Sequence, residues 1–206
     1  MSRSKSSRRW LQAHFSDYYV KKAQAEGYRS RSVYKLQEID NKEHLLKPGI
    51  TVIDLGAAPG GWAQYVSKKL CGNGRIIALD ILPMDVLPGV EFIQGDFLEN
   101  LVFEELLTRV PKDGVDLLLS DMAPNMSGAV TVDIPRAMYL VELAFDLASK
   151  IVKPGGTMVV KIFQGTGFEE LVTTARDMFK KVTIRKPRAS RPQSREMYLL
   201  AKGYNI

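Results

Sequence analysis

A glycine-rich turn between a predicted strand and a predicted helix constrains this chain more than any other feature. The turn spans Asp54–Trp62 and has the sequence Asp-Leu-Gly-Ala-Ala-Pro-Gly-Gly-Trp. It follows the β-branched run Ile50–Ile53 and precedes Gln64–Leu70, which can start a helix. A strand, a glycine-rich turn and a helix in this order form the opening unit of a nucleotide-binding α/β sheet.

The spacing within this turn narrows the class of ligand. It contains neither the Gly-Lys-Ser/Thr that holds a triphosphate nor the Gly-x-Gly-x-x-Gly that holds a pyrophosphate. Pro59 before Gly60 and Gly61 lets the backbone approach a compact ligand without phosphates, such as S-adenosylmethionine (SAM). The alternative is a tight strand-to-helix turn in another kind of α/β protein.

Acidic residues at the ends of later strands favour the cofactor. Three further predicted strands end in an aspartate: Arg75–Asp80, Val90–Asp96 and Val115–Asp121. Ligands of open parallel sheets lie beyond the carboxyl ends of the strands, so these acids and Asp54 should meet in one crevice. Asp80 can accept both ribose hydroxyls of an adenosine, and Asp96 can accept from the adenine amino group. Each aspartate alone is better explained as a helix cap.

The remaining pattern predicts one α/β domain, residues 1–206, with a basic N-terminal extension for RNA binding at about residues 1–41. The predicted order is a basic helical region at about Trp10–Asn41 and then alternating strands and helices. The later elements are helices at Leu98–Val110, Val132–Val152 and Phe168–Phe179 and strands at Thr157–Phe163, Lys181–Lys186 and Glu196–Lys202. This arrangement is expected of the Rossmann-like SAM-dependent methyltransferase fold, a seven-stranded mixed sheet whose last strand is antiparallel.

Composition is consistent with a single core in a reducing compartment. The 206 residues are 45% hydrophobic, which is enough for one α/β domain. No apolar run reaches membrane-spanning length, and the basic N-terminus lacks the apolar core of a secretory signal. Cys71 is the only cysteine, which excludes internal disulfides and favours a cytoplasmic location.

The positive charge lies at the two ends of the chain. Residues 1–35 hold nine Lys/Arg against two acids, and residues 176–195 hold eight against one, so each segment carries +7. The net charge is +6, which leaves −8 for the rest. Basic ends around an acidic centre are typical of a protein that binds a polyanion and a small cationic cofactor. Aromatic residues in the first segment can stack on bases, although most are better explained by packing on the domain.

Exclusion narrows the atom that could be methylated. Carbon-5 methylation of pyrimidines needs a cysteine nucleophile beside the cofactor. Cys71 lies at the wrong end of the predicted helix that follows the glycine-rich turn. Methylation of base amino groups usually uses an Asp/Asn-Pro-Pro-aromatic turn, whereas this chain has Asp121-Met122-Ala123-Pro124-Asn125. Metal-assisted O-methylation would need a tight cluster of carboxylates that chelates the metal, and no such motif is evident. An oxygen nucleophile activated by a side chain remains.

Lys161 is the candidate activator. It lies within the otherwise apolar run Met158–Phe163, which predicts a strand buried on both faces. Burial favours the neutral form of an amine, and a neutral amine could take the proton of a ribose 2′-hydroxyl. Nearby acids would oppose this effect and a second lysine would favour it. The alternative is an edge strand from which Lys161 reaches solvent.

The chain resembles the FtsJ/RrmJ family of bacterial ribosomal RNA methyltransferases along essentially its whole length. The matching stretches are Trp10–Gln12, His14–Asp17, Arg29–Arg31, Asp54–Trp62, Ser120–Gly128, Asp133–Leu143, Val160–Gly165 and Ser194–Glu196. The resemblance implies a catalytic tetrad of Lys35, Asp121, Lys161 and Glu196. It also implies cofactor contacts at Gly60, Trp62, Asp80, Asp96 and Asp121, with SAM as the cofactor and no metal.

The resemblance implies 2′-O-methylation of a uridine ribose in the A loop of large-subunit (23S) ribosomal RNA during ribosome maturation. The substrate partner would be ribosomal RNA within the large subunit, and the protein would act as a monomer. The alternative is 2′-O-methylation of another RNA, such as transfer RNA. A binding module without catalysis would not need the turn and the tetrad together, and a small-molecule methyltransferase would not need two basic segments.

Overall fold

Alternating apolar strands and amphipathic helices produce a seven-stranded sheet. The computed structural model describes residues 17–191 and 193–205 of the chain. The strands are β1 (Thr51–Leu55), β2 (Arg75–Asp80), β3 (Glu91–Gln94), β4 (Val115–Ser120), β5 (Val152–Phe163), β6 (Phe179–Arg185) and β7 (Glu196–Tyr204). The helices are α1 (Tyr18–Ala25), α2 (Val33–Glu43), α3 (Gly61–Leu70), α4 (Asn100–Arg109), α5 (Val130–Ile151) and α6 (Phe168–Met178).

The strand order places a ligand crevice at the centre of the sheet. The order is β3-β2-β1-β4-β5-β7-β6, and β7 runs antiparallel to both of its neighbours. The chain builds outward from β1 to β3 and then returns to place β4 on the other side of β1. Ligands bind where strand order reverses in this way. The predicted mixed sheet with an antiparallel last strand is confirmed.

Two apolar layers cover the sheet. One contains α4, α5 and α6, with residues such as Leu106, Phe145 and Leu171 against the strands. The other contains α2 and α3, with Leu36 and Trp62 among its members. β5 lies between β4 and β7, so it is an internal strand, and Lys161 on it is 7% exposed. The alternative of an edge strand with a solvated Lys161 is therefore wrong.

The N-terminal region differs from the single helical stretch predicted from its pattern. Two helices, α1 and α2, are separated by a turn in which Gly27 has a φ of +68°. The part of the prediction before Asp17, including His14 and Phe15, lies outside the described residues. Tyr34 is buried, whereas Tyr18 is 68% exposed. β5 also begins earlier than predicted, at Val152 instead of Thr157.

Two acidic side chains fix the end of α2 to the rest of the domain. Asp40 accepts hydrogen bonds from the backbone N–H groups of Leu45 and Leu46 and from the hydroxyl of Tyr65 on α3. Glu43 accepts from Arg185 on β6 and from Lys202 on β7, the latter at 2.7 Å. These contacts hold α2, and with it Lys35, over the carboxyl-end side chains of the sheet.

Replacing Glu43 by glutamine should destabilise the fold in a pH-dependent way. Hydrogen bonds from Lys202 and Arg185 lower the pKa of Glu43 from 4.5 to about 2. A lowered pKa contributes stability that is present above about 4.5 and is lost as the pH falls through about 2. We expect Glu43→Gln to reduce the free energy of unfolding by about 1–3 kcal/mol near pH 7 and by much less at about pH 2. Urea unfolding at both pH values measures this, and an equal loss at both would contradict it.

Candidate active site

A cavity of about 340 Å³ opens at the carboxyl ends of the central strands. It lies beyond the carboxyl ends of the neighbouring strands β1 and β4, at the point that the strand order marks as a ligand crevice. It is lined by Gly56, Ala58, Leu79, Asp80, Ile81, Leu82, Gly95, Asp96, Phe97, Leu98, Asp121, Met122, Ala123, Asn125 and Leu140. Three predicted site aspartates therefore share one cavity with an apolar wall.

Asp80 and Asp96 also organise the loops around the cavity. Asp80 accepts from the backbone N–H of Ala58 and from that of Leu82, each at 2.8 Å and each on a different oxygen. Asp96 accepts from the N–H of Leu98 at 3.0 Å. These donors lie in loops, and the cap position of α4 is Glu99, so neither aspartate is a helix cap. A carboxylate oxygen has two lone pairs, so both residues retain acceptor capacity towards the cavity.

Gly60 and Trp62 are not among the residues that line this cavity. Gly60 has a φ of +103°, and a Cβ there would lie 2.9 Å from Nη1 of Arg29. The indole of Trp62 is only 2% exposed because it packs between α2 and the sheet, and its N–H donates to the carbonyl of Ser32 at 2.9 Å. Any contact of these two residues with a cofactor would involve their backbone near the start of α3, where first-turn N–H groups lack helical partners.

Two ion pairs bring the four predicted catalytic residues together. Nζ of Lys161 lies 2.9 Å from Oδ1 of Asp121 and 2.6 Å from the Asp121 carbonyl oxygen. Nζ of Lys35 lies 2.7 Å from Oε1 of Glu196. The side chains of both pairs are at most 15% exposed. We call these four residues the tetrad. Its two ammonium groups balance its two carboxylates, and its members come from α2, β5, β7 and the end of β4.

Tyr198 connects the two pairs and was missed by the sequence reasoning. Its hydroxyl donates to Oδ1 of Asp121 at 2.6 Å, the oxygen that Lys161 also contacts. Nζ of Lys35 lies 5.8 Å from the centroid of its ring, and Trp62 packs against the ring at 5.6 Å between centroids. Tyr198 lies two residues after Glu196, so its side chain shares a face of β7 with that carboxylate. This spacing in the sequence could have indicated that Tyr198 lies beside Glu196 at the site.

The surrounding charges determine the ionisation of Asp121. Burial would raise the pKa of this carboxyl, but the ammonium groups of Lys161 and Lys35 and the hydrogen bond from Tyr198 outweigh burial and lower it. Burial and the Asp121 carboxylate raise the pKa of Tyr198, so the phenol keeps its proton and remains a donor. Oδ2 of Asp121 has no hydrogen-bond partner among the described residues, so one acceptor remains beside the cavity.

The Arg29-Ser30-Arg31 segment fastens loops on both sides of the site. The Arg29 guanidinium donates to the carbonyls of Pro59, Asp85 and Val86, which belong to the two loops that follow β1 and β2. Arg31 donates to Asp17 and to the carbonyl of Ala189 in the loop before β7. The hydroxyl of Ser190 in that loop donates to Glu196 at 2.8 Å. The segment therefore joins the cavity loops to the tetrad.

The described residues contain neither a metal-binding cluster nor a membrane-spanning helix. Within residues 17–191 and 193–205, no three His, Cys, Asp or Glu side chains are grouped so that they could hold a metal ion. No helix in the same part of the chain is long and apolar enough to cross a membrane.

Comparison with known families decides the class. Residues 28–204 match the model of the FtsJ-like methyltransferase family. The chain belongs to this family. This FtsJ-like methyltransferase is 70% identical over 206 residues, all of both chains, to a Legionella pneumophila protein named ribosomal RNA large subunit methyltransferase E. It is 58% identical over 204 residues, 99% of each chain, to the Pseudomonas aeruginosa protein of that name.

A solved structure has the same fold. It is a crystal structure of a protein from Plasmodium falciparum described as a ribosomal RNA methyltransferase, with a TM-score of 0.77 and 32% identity. The match covers 86% of this chain and 98% of the other. The predicted family and fold are confirmed for this FtsJ-like methyltransferase, whereas the roles of single tetrad and cavity residues stay predictions.

Proposed function

We propose that this chain transfers a methyl group from SAM to the 2′-hydroxyl of a uridine ribose in the A loop of large-subunit ribosomal RNA. The observation that carries the proposal is the position of Asp121. It lines the cavity and is also hydrogen-bonded to Lys161, so a methyl donor in the cavity would lie beside a candidate base. The choice of uridine and A loop rests on the family resemblance, and the cytoplasmic location and monomeric state also stay predictions.

The cavity residues are suited to an adenosine and a positive charge. Asp80 and Asp96 are acceptors at one end, and Asp121 provides a carboxylate at the other end of the same cavity. Ribose hydroxyls and an adenine amino group are donors, and a sulfonium or ammonium group is favoured beside a carboxylate. When bound, SAM supplies an electrophilic methyl group on a sulfonium.

Lys161 is placed to accept the proton of the nucleophile. Loss of a proton to solvent gives Lys161 its neutral form. Its Nζ would then take the proton of the 2′-hydroxyl as that oxygen bonds to the methyl group that SAM would supply, with the sulfur of the cofactor as the leaving group. Lys161 becomes an ammonium next to the Asp121 carboxylate, which stabilises the positive charge that it gains. The Lys35–Glu196 pair offers one donor and one acceptor to orient the ribose. Alignment of the oxygen, carbon and sulfur supplies much of the rate.

The balanced charge of the tetrad suits a reaction that removes a cation. Positive charge is lost from sulfur as the methyl group moves, so a strongly anionic site would stabilise the ground state more than the transition state. Two ammonium groups, Lys35 and Lys161, offset two carboxylates. The tetrad therefore holds the reacting groups without this penalty.

RNA as the substrate is supported by charge near the tetrad and by the names of the relatives. The loop before β7 carries Arg188, Arg191 and Arg195 and borders Glu196. The Legionella and Pseudomonas relatives are named methyltransferases of the large ribosomal subunit RNA. Basic side chains around a site bind phosphates and orient a nucleic acid without reading its sequence.

Transfer of labelled methyl groups tests the proposal directly. Purified protein and labelled SAM are incubated with large-subunit RNA, intact large subunits and transfer RNA, and the modified nucleotide is mapped. We expect one ribose-methylated uridine in the large-subunit RNA. The same RNA with a 2′-deoxyribose at that position should accept no label, since the nucleophile is absent. Labelling of the deoxy substrate would instead indicate base methylation, and labelling of transfer RNA alone would establish the alternative substrate.

Asp80 should contribute strongly to cofactor affinity. We expect Asp80→Ala to weaken SAM binding by about 1–3 kcal/mol, because two hydrogen bonds to ribose are lost. The substitution also removes the acceptor of the Ala58 and Leu82 N–H groups. Asp96→Ala, which frees one backbone N–H from its side-chain acceptor, is the matched comparison. Calorimetry measures both, and unchanged affinity in Asp80→Ala would reject the ribose role.

A further inference from the structure

A shallow groove on the outer face of the N-terminal helix pair is separate from the cavity and the tetrad. Its volume is about 430 Å³, and we call it the α1–α2 groove. It is lined by Tyr19, Lys22, Tyr34, Gln37, Glu38, Asn41, Lys42 and Arg188. Glu38 and Lys42 pair with each other. The other six combine two aromatic rings, two amide side chains and two cations, which are the three kinds of group that contact bases and phosphates of unpaired RNA.

Two aromatic rings form the floor of the groove: Tyr19 is half-buried, and Tyr34 is 4% exposed with Lys22 over its ring. The rings of Tyr19 and Tyr34 are 5.4 Å apart, and Nζ of Lys22 lies 4.5 Å from the centroid of the Tyr34 ring. The nearest carboxylate oxygen to this ammonium, on Glu26, is 3.8 Å away. Lys22 is therefore held loosely over an aromatic face. A nucleobase could take its place on the ring, and the released ammonium could then pair with a phosphate.

The amide and arginine side chains of the groove have unused hydrogen-bonding capacity. Gln37 and Asn41 are four residues apart on α2, so they project from the same side of the helix. Neither amide, nor the Arg188 guanidinium, makes a hydrogen bond or ion pair with any residue that the structure describes. The only carboxylate in the groove, Glu38, is already engaged, by Lys42 at 3.0 Å and by the backbone N–H of Arg188 at 2.7 Å. The free groups are thus donors and cations, with amide oxygens as acceptors.

Two elements, α2 and the loop before β7, connect the groove to the tetrad. Lys35 and the groove residues Glu38 and Asn41 are all on α2, three to six positions apart, or about 5–9 Å along the helix axis. Arg188 precedes Ser190, whose hydroxyl contacts Glu196, by two residues. The axial distance alone corresponds to about one to three stacked nucleotides at about 3.4 Å each, and this is a minimum, because Gln37 and Asn41 project from a different side of α2 than Lys35 does.

We propose that the α1–α2 groove binds an unpaired nucleotide of the RNA substrate, close in sequence to the methylated one. This inference rests on the proposed function, because it presupposes an RNA substrate. The base stacks on the tyrosine floor, its edge meets the amides of Gln37 and Asn41, and Lys22 and Arg188 contact the flanking phosphates. The groove thereby contributes to choosing which ribose enters the tetrad.

A charge-matched pair of variants tests the groove. Lys22→Ala/Asn41→Ala removes one cation and one amide from the groove, and Lys21→Ala/Gln24→Ala removes the same groups from exposed positions of α1 outside it. The probe is a single-stranded RNA of the substrate sequence around the target ribose, and binding is measured at one fixed salt concentration. We expect the groove variant to raise the Kd about tenfold and the control variant no more than about threefold. SAM affinity in the same preparations verifies folding.

An abasic scan locates the nucleotide. The base is removed from the probe at one position after another on both sides of the target. One abasic position should weaken binding to the unmodified protein clearly more than binding to the groove variant, because the variant lacks the Asn41 amide that contacts the edge of this base. Equal effects of the two variants, or no such coupled position, would overturn the proposal. Unchanged RNA binding with weaker binding to intact subunits would instead assign the groove to a ribosomal protein.

The outcome is independent of methyl transfer. Binding is read with Lys161→Arg protein as well as with the unmodified protein, so the scan does not require catalysis. Failure of every RNA to accept methyl groups would refute the proposed function, whereas a flat abasic scan on an RNA that is methylated would refute the groove alone.

Discussion

Replacement of Lys161 by arginine is expected to lower the rate of methyl transfer by about 10²–10⁴-fold, the usual contribution of a positioned base. The guanidinium keeps a positive charge beside Asp121, so the buried ion pair is retained, but it stays protonated and cannot accept a proton from the ribose. Single-turnover assays with saturating SAM and RNA measure the chemical step. SAM affinity should change little, because the charge next to the cavity is the same.

A second lysine on the same strand provides the control. Lys153 is also in β5 and also pairs with an aspartate, Asp116, at 2.5 Å, but it lies at the opposite end of the strand from the tetrad. Lys153→Arg should leave the rate unchanged. Lys161→Ala should be inactive as well and less stable, since Asp121 loses its ion-pair partner inside the protein. Full activity in Lys161→Arg would eliminate proton transfer to this side chain from the mechanism.

The sheet and the cavity could be predicted because their signals are local. Strands that end in Asp80, Asp96 and Asp121 require only that parallel strands finish at one edge of the sheet. The apolar run around Lys161 likewise predicts an internal strand, and the structure places Lys161 between β4 and β7. The tetrad is different: Lys35 and Glu196 were carried over from the family resemblance, and their 2.7 Å contact depends on how α2 packs on β7.

Side chains that act across the tertiary structure gave weaker signals. Arg29 contacts carbonyls of Asp85 and Val86, more than fifty positions away, and backbone acceptors leave no trace in a side-chain pattern. The cofactor contact of Trp62 stays a prediction, and the sequence did not indicate that its indole packs in the layer beneath α2, since a large ring next to a glycine-rich turn is compatible with either role. The break at Gly27 was also missed, because basic and aromatic residues continue across it without a change in composition.

Asp54 lies close to Asp121 and Asp80 but does not line the cavity, so the prediction that four aspartates share one crevice is correct for three of them. Its side chain, at the end of β1, is fully buried, and neither oxygen has a hydrogen-bond partner among the described residues. Burial first, and then the Asp121 carboxylate, raise the pKa of Asp54 well above its ordinary value. The backbone N–H of Ala63 opposes this rise without reaching normal hydrogen-bond geometry. A neutral Asp54 beneath two other carboxylates limits the negative charge in one small volume.

The stability of the cofactor-free protein should therefore depend on pH through Asp54. When the folded pKa is raised, the folded state holds a proton that the unfolded chain releases above 3.8, so stability falls as the pH rises from there towards the folded pKa. The loss is at most about 1.4 kcal/mol per pH unit for one proton. Asp54→Asn has the same shape and no proton to lose, so the stability of the variant should rise relative to that of the unmodified protein as the pH increases across that interval.

Urea unfolding of both proteins between about pH 4 and pH 8 measures the difference, and it isolates Asp54 because the lowered pKa values of Asp121 and Glu43 act at lower pH. Asp113→Asn, the same change at an exposed loop position, should give a curve parallel to that of the unmodified protein. Parallel curves for Asp54→Asn as well would mean that the buried carboxyl ionises as freely as in the unfolded chain. Three carboxylates, those of Asp54, Asp80 and Asp121, would then lie close together, and the neutral form assigned to Asp54 would be wrong.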